Sequence, residues 1–178
     1  LEAYDQLIKQ GKVRVVGASN YSADRLTRAL EISEQRGFPR YQSLQTLYNL
    51  YSRAEYETDL EPLCLKKGLG VLTYFSLASG FLTGKYRSED DLAGRARAEM
   101  VRKYLNKRGL RILGALDRVA KKYHTSPAAV SLAWLISRPG ITAPIASATN
   151  PGQLKSLIEA PDLKLDDASI KLLNSAGS

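Results

Sequence analysis

The sequence predicts an α/β fold in which short parallel strands alternate with helices packed outside them. Three observations lead there. Four short apolar runs have the length of buried strands, and each closes on a polar or Gly/Ser loop. Each loop leads into a stretch of helical periodicity. No G-x-G-x-x-G follows any of the runs, so the signature of a doubly wound dinucleotide-binding sheet is missing and a (β/α) barrel is preferred to it.

Leu1 to Gln10 reads as the end of a helix, with Leu1, Tyr4, Leu7 and Ile8 at helical spacing and Gly11 as its stop. Lys12 to Ser19 is a Val-rich strand that closes on Ser19-Asn20. Ser22 is the expected N-cap of a helix carrying Leu26, Ala29 and Leu30, which ends near Gly37-Phe38-Pro39. Tyr41 to Leu47 is the second strand and runs into Tyr48-Asn49-Leu50-Tyr51-Ser52-Arg53. Glu55 to Lys67 is helical, with Leu60, Leu63 and Cys64 as its apolar stripe and Gly68 ending it. Cys64 on that stripe reads as core, since free cysteine is usually buried.

Gly70 to Phe75 is the third strand. It breaks into Ala78, Ser79 and Gly80 before Thr83-Gly84-Lys85-Tyr86-Arg87. A strand that ends in such a turn, with a cation just beyond, lets backbone N–H groups approach a phosphate; an ordinary loop can carry the same wording. Ser88 to Ala96 reads as a mobile polar loop. Leu110 to Tyr123 is a long helix facing Ile112, Leu113, Leu116, Val119 and Ala120 inward, and His124 lies in the turn after it. Ser126-Pro127 starts the next helix, which carries Val130, Leu132, Ala133, Trp134 and Leu135 and ends at Arg138-Pro139-Gly140. Ile141 to Ile145 is the fourth strand, followed by Ala146 to Asn150 and a helix from Pro151 to Glu159. Leu165-Asp166-Asp167 opens a last helix that ends near Gly177.

With 44% apolar and 25% charged residues, the chain has the composition of a soluble domain with a real core. No apolar run is long enough to cross a bilayer and the first residues are not a signal peptide, so a cytoplasmic setting and no membrane partner are expected. One cysteine and one histidine rule out an internal disulfide and a histidine metal site. The net charge of +8 fits nucleic acid, a membrane surface or an anionic ligand. The densest basic segment, Arg95 to Arg111, reads equally as the solvated face of one helix. Nucleic acid ranks low because aromatic interleaving is sparse there and no binding motif is present.

Five phrases in order, KVRVVGASNYS, LQTLYNLYSR, LASGFLTGKYR, KYLNKRGLRIL and APIASATNPGQL, resemble the aldo-keto reductase superfamily in its bacterial and potassium-channel-β-like branch. They look like that family's strands five to eight with the loops that follow. The resemblance implies the second half of a (β/α)8 TIM barrel, with residues 1–178 as the C-terminal half and the N-terminal half absent. It also implies NADP(H) as cofactor and hydride transfer between the nicotinamide and an aldehyde or ketone, a small-molecule carbonyl substrate. Such barrels favour phosphate sites on the loops after strands seven and eight.

Carried over residue by residue, the resemblance implies that Ser19 and Asn20 hold the nicotinamide carboxamide, with help from Gln45. Tyr74 would stack on the nicotinamide ring. Phe75, Ser76, Leu77, Ala78 and Ser79 would line the ribose and pyrophosphate, with Lys85 and Arg97 countering phosphate charge. Ser147, Thr149 and Gln153 would surround the adenosine 2′-phosphate at a helix N-terminus, where the helix dipole favours an anion. The family's proton-donating Tyr and its Lys, Asp and His supports belong to the first four strands. No catalytic residue is therefore assigned, and the chain alone is expected to be inactive. Open strand edges predict pairing with a copy of itself or with the missing half. The alternative that the same resemblance carries is a non-catalytic nicotinamide-nucleotide-binding regulatory module, like potassium-channel β subunits.

Overall fold

In the computed structural model, which describes residues 1–178, four parallel strands form one sheet in chain order. β1 (Val16–Ser19) pairs with β2 (Tyr41–Leu47), β2 with β3 (Gly70–Tyr74), and β3 with β4 (Ile141–Pro144). A doubly wound sheet reverses its strand order at a switch point; this one runs straight through four strands, as a barrel segment does. The helices are α1 (Glu2–Lys9), α2 (Ala23–Arg36), α3 (Glu61–Lys67), α4 (Ala98–Arg102), α5 (Lys107–Lys122), α6 (Pro127–Ile136), α7 (Pro151–Glu159) and α8 (Asp167–Gly177). None is long and apolar enough to cross a membrane.

Helix ends follow the capping residues. The side chains of Ser22, Ser126, Asn150 and Asp166 accept N–H groups of the first turns of α2, α6, α7 and α8. Gly37 and Gly68 end α2 and α3 in the left-handed conformation. Five expectations need correction. β1 starts at Val16, not Lys12, because the N–H groups of Lys12 and Val13 turn back to the Leu7 carbonyl at the end of α1. The helix expected over residues 55–67 is split: Tyr56–Leu60 is a wider π turn, with the Glu61 N–H reaching back to the Tyr56 carbonyl, and α3 follows. Pro62, with no N–H to give, lies at that junction. α5 begins three residues before Leu110, at Lys107, since the Asn106 side chain accepts the Gly109 N–H. The basic segment Arg95 to Arg111 is not one helix face, for it spans a loop, α4 and the first turn of α5. Arg102 pairs with Glu89 and Glu99, and Arg108 and Arg111 donate to the terminal carbonyls of α8. The loop expected over Ser88 to Ala96 contains a 3-10 turn, Glu89–Leu92, closed by a capping box between Ser88 and Asp91.

The two faces of the sheet differ. Val16, Ala18, Leu44 and Val71 join one core with Ile112, Leu113, Leu116, Trp134 and Leu135 of α5 and α6. The opposite face carries Gly17, Ser19, Ser43, Gln45, Leu72 and Tyr74, none of them fully buried. At the flanks, α1 and α7 bury no residue, and Leu154 and Ile158 of α7 stand exposed. The concave face and both edges are thus open.

The tightest backbone approach is at Gly109, where a β-carbon would sit 1.8 Å from the Tyr104 carbonyl oxygen and 2.9 Å from the Phe81 ring. Gly109→Ala is expected to destabilise the fold by about 3 kcal/mol, because backbone must shift to admit the methyl. A shift of the urea midpoint checks it.

Candidate functional site

Parallel strands end on the same side of a sheet, so the loops after β1, β2 and β3 meet there. Ser19 is in register with Gln45, and Leu47 with Tyr74. Just past β1, Asn20 takes a left-handed φ of 58°, a conformation that asparagine tolerates better than most side chains. Its N–H donates to the Gln45 carbonyl at 3.2 Å. The Tyr74 hydroxyl donates to Asn20 Oδ1 at 2.7 Å. Asn20, Gln45 and Tyr74 are therefore one hydrogen-bonded group, with Ser19 exposed beside it.

The end of β3 is the most contorted part of the chain. Phe75, Ala78, Ser79 and Gly80 all take positive φ, between 48° and 96°. In bulky residues that conformation is strained and persists only where surrounding bonds over-determine it. Here the Phe75 carbonyl accepts the Ala78 N–H at 2.7 Å and Asn49 Nδ2 at 2.9 Å. Asn49 is fully buried, and its Oδ1 accepts the N–H groups of Tyr51 and Ser52. Ser76 is buried as well, with its hydroxyl donating to the Thr73 carbonyl. Ala78, like Ser76, is buried backbone and side chain alike, and Leu77 is half-buried.

The contortion turns Phe75 outward to 46% exposure, edge-on to Tyr74. A cleft of about 360 Å³ opens there, lined by Leu47, Tyr74, Phe75, Ser79, Glu99, Met100, Lys103 and Tyr104. Its far wall is α4 with Lys103 and Tyr104, and the Tyr104 ring stacks on Phe81 at 5.4 Å. Lys85 lies beside the turn: a β-carbon on Gly80 would be 3.6 Å from its Nζ, which also sits over the Tyr86 ring. Lys85 has no carboxylate partner. Arg97 is exposed at the N-cap of α4, likewise outside any ion pair.

Ser147, Thr149 and Gln153 form a second group, after β4 and around the start of α7. Ser147 is exposed. The Thr149 N–H and hydroxyl both donate to Gln153 Oε1, at 2.9 and 3.1 Å, and the Gln153 N–H donates to Asn150 Oδ1. No hydrogen bond joins this group to Asn20, Gln45 or Tyr74; the link between them is the sheet, through the Ile145 N–H and the Thr73 carbonyl.

Sequence reasoning missed the cleft's far wall and Asn49. Glu99, Met100, Lys103 and Tyr104 carry no local signal, since only the tertiary fold brings α4 over β3. Asn49 did carry one: an asparagine directly after a strand often binds its own downstream N–H groups, as it does here.

The chain belongs to the Aldo/keto reductase family, whose model matches residues 1–178. It is 30% identical to an uncharacterized oxidoreductase, YrpG, of Bacillus subtilis, over 97% of this chain and 52% of that protein. It is 28% identical to the NADH-specific methylglyoxal reductase of Escherichia coli, over 95% of the chain and 50% of the relative. It is 31% identical to a probable voltage-gated potassium channel subunit beta of Oryza sativa subsp. japonica, over 92% and 51%. The chain spans about half the length of these relatives, and its strands correspond to the C-terminal half of the family barrel.

Replacing Asn49 by Ala removes one of the two hydrogen bonds to the Phe75 carbonyl and the acceptor of the Tyr51 and Ser52 N–H groups. The expected loss is about 2 kcal/mol, the cost of unsatisfied buried groups, read from chemical denaturation.

Proposed function

We propose that this chain is the cofactor-binding half of a cytoplasmic aldo-keto oxidoreductase that moves hydride between a nicotinamide dinucleotide and an aldehyde or ketone. The observation that carries the reading is the hydrogen-bonded group Asn20–Gln45–Tyr74 beside an apolar cleft, with the unpaired Lys85 at the Ala78–Gly80 turn. Those residues fit the cofactor: an amide and a ring face for the nicotinamide, and a cation beside the turn after β3 for the charge of the pyrophosphate. The dinucleotide, when bound, supplies the hydride, and the protein supplies position and electrostatics.

In this reading Asn20 and Gln45, with Ser19, orient the carboxamide, and Tyr74 offers its ring to one nicotinamide face. The backbone from Phe75 to Ser79 follows the ribose and pyrophosphate, with Lys85 and Arg97 opposite the phosphates. Ser147, Thr149 and Gln153 meet the adenosine ribose; the resemblance implies NADP(H), and the reading itself requires only what NAD(H) and NADP(H) share. Proton donation is assigned to the N-terminal half of the barrel, as is closure of the open concave face and of both edges. Self-association would be the other way to close them. A second reading, a regulatory module without turnover, draws on the potassium-channel subunit among the relatives and uses the same cofactor site.

Titrating NADH and NADPH with the chain tests the reading: dinucleotide fluorescence should rise and shift to the blue, and Tyr74→Ala should weaken binding at least tenfold. The chain alone should not reduce 4-nitrobenzaldehyde. No fluorescence change with either dinucleotide would overturn the site, and turnover by the chain alone would overturn the division of labour.

A further inference from the structure

We infer that the end of the sheet opposite the candidate site docks a short acidic segment of another protein, held by the cations around the starts of β1, β2 and β3. The inference is independent of the cofactor reading, which uses Lys85 and Arg97 and leaves most of the net charge of +8 without a role.

The parallel strands also begin on one side, with Val16 in register with Tyr41 and Ser43 with Gly70. The chain entering them carries Lys12 and Arg14 before β1, Arg36 and Arg40 before β2, and Lys66 and Lys67 before β3. Lys67 is half-buried and the other five are exposed. None of the six meets a carboxylate. Across residues 10–15, 34–40 and 65–69 the one acid is Glu34. The Arg40 guanidinium donates to the Lys67 carbonyl at 2.6 Å, which ties the second pair to the third. Neighbouring strands lie about 4.8 Å apart, so the three starts fall within about 10 Å, a length that a few residues of extended peptide cover.

Helix dipoles explain only part of this strip. Cations in a last turn offset the negative end of a helix, and that accounts for Arg36, Lys66 and Lys67. Lys12, Arg14 and Arg40 lie outside the helices, and α6, α7 and α8 end with no basic residue in the last turn.

Between α2 and α3 the strip holds a recess of about 350 Å³, lined by Leu30, Ser33, Glu34, Phe38, Arg40 and Lys67. Leu30 and Phe38 give it apolar surface, and the Ser33 hydroxyl already serves the Ala29 and Pro39 carbonyls. β2 has a neighbour on each side, so the recess stands away from the open edges of the sheet. An apolar side chain fits the recess while carboxylates beside it pair with Arg40 and Lys67. A peptide carries both in adjacent residues, and its N–H groups can donate to Glu34. A nucleic acid would bring phosphates against the Glu34 carboxylate, and a bilayer surface offers headgroup charge but no side chain for the recess.

The test is fluorescence anisotropy of a fluorescein-labelled peptide, EEFEE, titrated with this chain at low ionic strength. Arg40→Glu with Lys67→Glu is expected to weaken binding at least tenfold, and Lys12→Glu with Arg14→Glu at least threefold. Arg118→Glu with Lys121→Glu on α5, the same charge change elsewhere, should alter it less than threefold. Dinucleotide binding should be the same in all these variants. A peptide with glycine in place of the phenylalanine should bind at least threefold more weakly. No binding of EEFEE, an equal loss in every charge-reversed pair, or equal affinity for the glycine peptide would each overturn the inference. Tighter binding to phosphatidylserine vesicles or to single-stranded RNA, lost with Arg40 and Lys67, would overturn it in favour of that partner.

Discussion

The hydrogen bond from Asn49 to the Phe75 carbonyl is the constraint on which the groove depends. β3 has to stop abruptly and turn, and the turn passes through four residues with positive φ within six positions. Nothing in the side chains of Phe75 or Ala78 favours that conformation. A fully buried amide, itself anchored by two N–H groups of the loop after β2, holds the carbonyl around which the turn closes. One consequence is that Tyr74 still belongs to the sheet while Phe75 is already outside it. The aromatic edge of the cleft and the backbone of the Ala78–Gly80 turn are positioned by the same bond.

The loop carrying Asn49 is fixed in turn by a half-buried polar network that reaches the far helices. Arg53 donates to both carboxylate oxygens of Glu57 and to the Asn174 carbonyl of α8, and its guanidinium lies over the Trp134 ring. Tyr48 donates to Glu57 and accepts from Arg138. Burial by itself raises the Glu57 pKa, but the hydrogen bonds from Arg53 and Tyr48 outweigh it and hold the carboxyl below its ordinary value. Tyr48 shifts the other way: burial, with Glu57 beside it, raises its phenol, so it remains a neutral structural donor. The short run from Tyr48 to Arg53 thus ties the end of β2, the turn after β3 and the last helix into one body.

Much of this was readable from local chemistry. Ser22, Ser126-Pro127, Asp166, Gly37 and Gly68 mark helix ends because capping depends on the residue itself, and the structure places the ends there. Tyr41 to Leu47 is a strand over its whole expected length, having a neighbour on each side. β1, an edge strand, is shorter than its Val-rich sequence because α1 takes two of its N–H groups. The π turn and the early start of α5 were hidden for a different reason, since each depends on one backbone group and no apolar period records it. At the site, the strand-end residues could be named from the sequence. The cleft's far wall could not, because α4 meets β3 only in the folded chain. The internal bonds of Thr149 and Gln153 were hidden too, since residue type alone does not say which donor an amide oxygen takes.

The central claim is that separate strand ends form one binding groove. Hydrogen–deuterium exchange of the chain with and without saturating NADH tests it most directly. The account predicts joint protection of peptides containing Asn20, Phe75 to Gly80, and Ser147 to Gln153. Protection confined to the basic segment Arg95 to Arg111, or to one strand end alone, would contradict it.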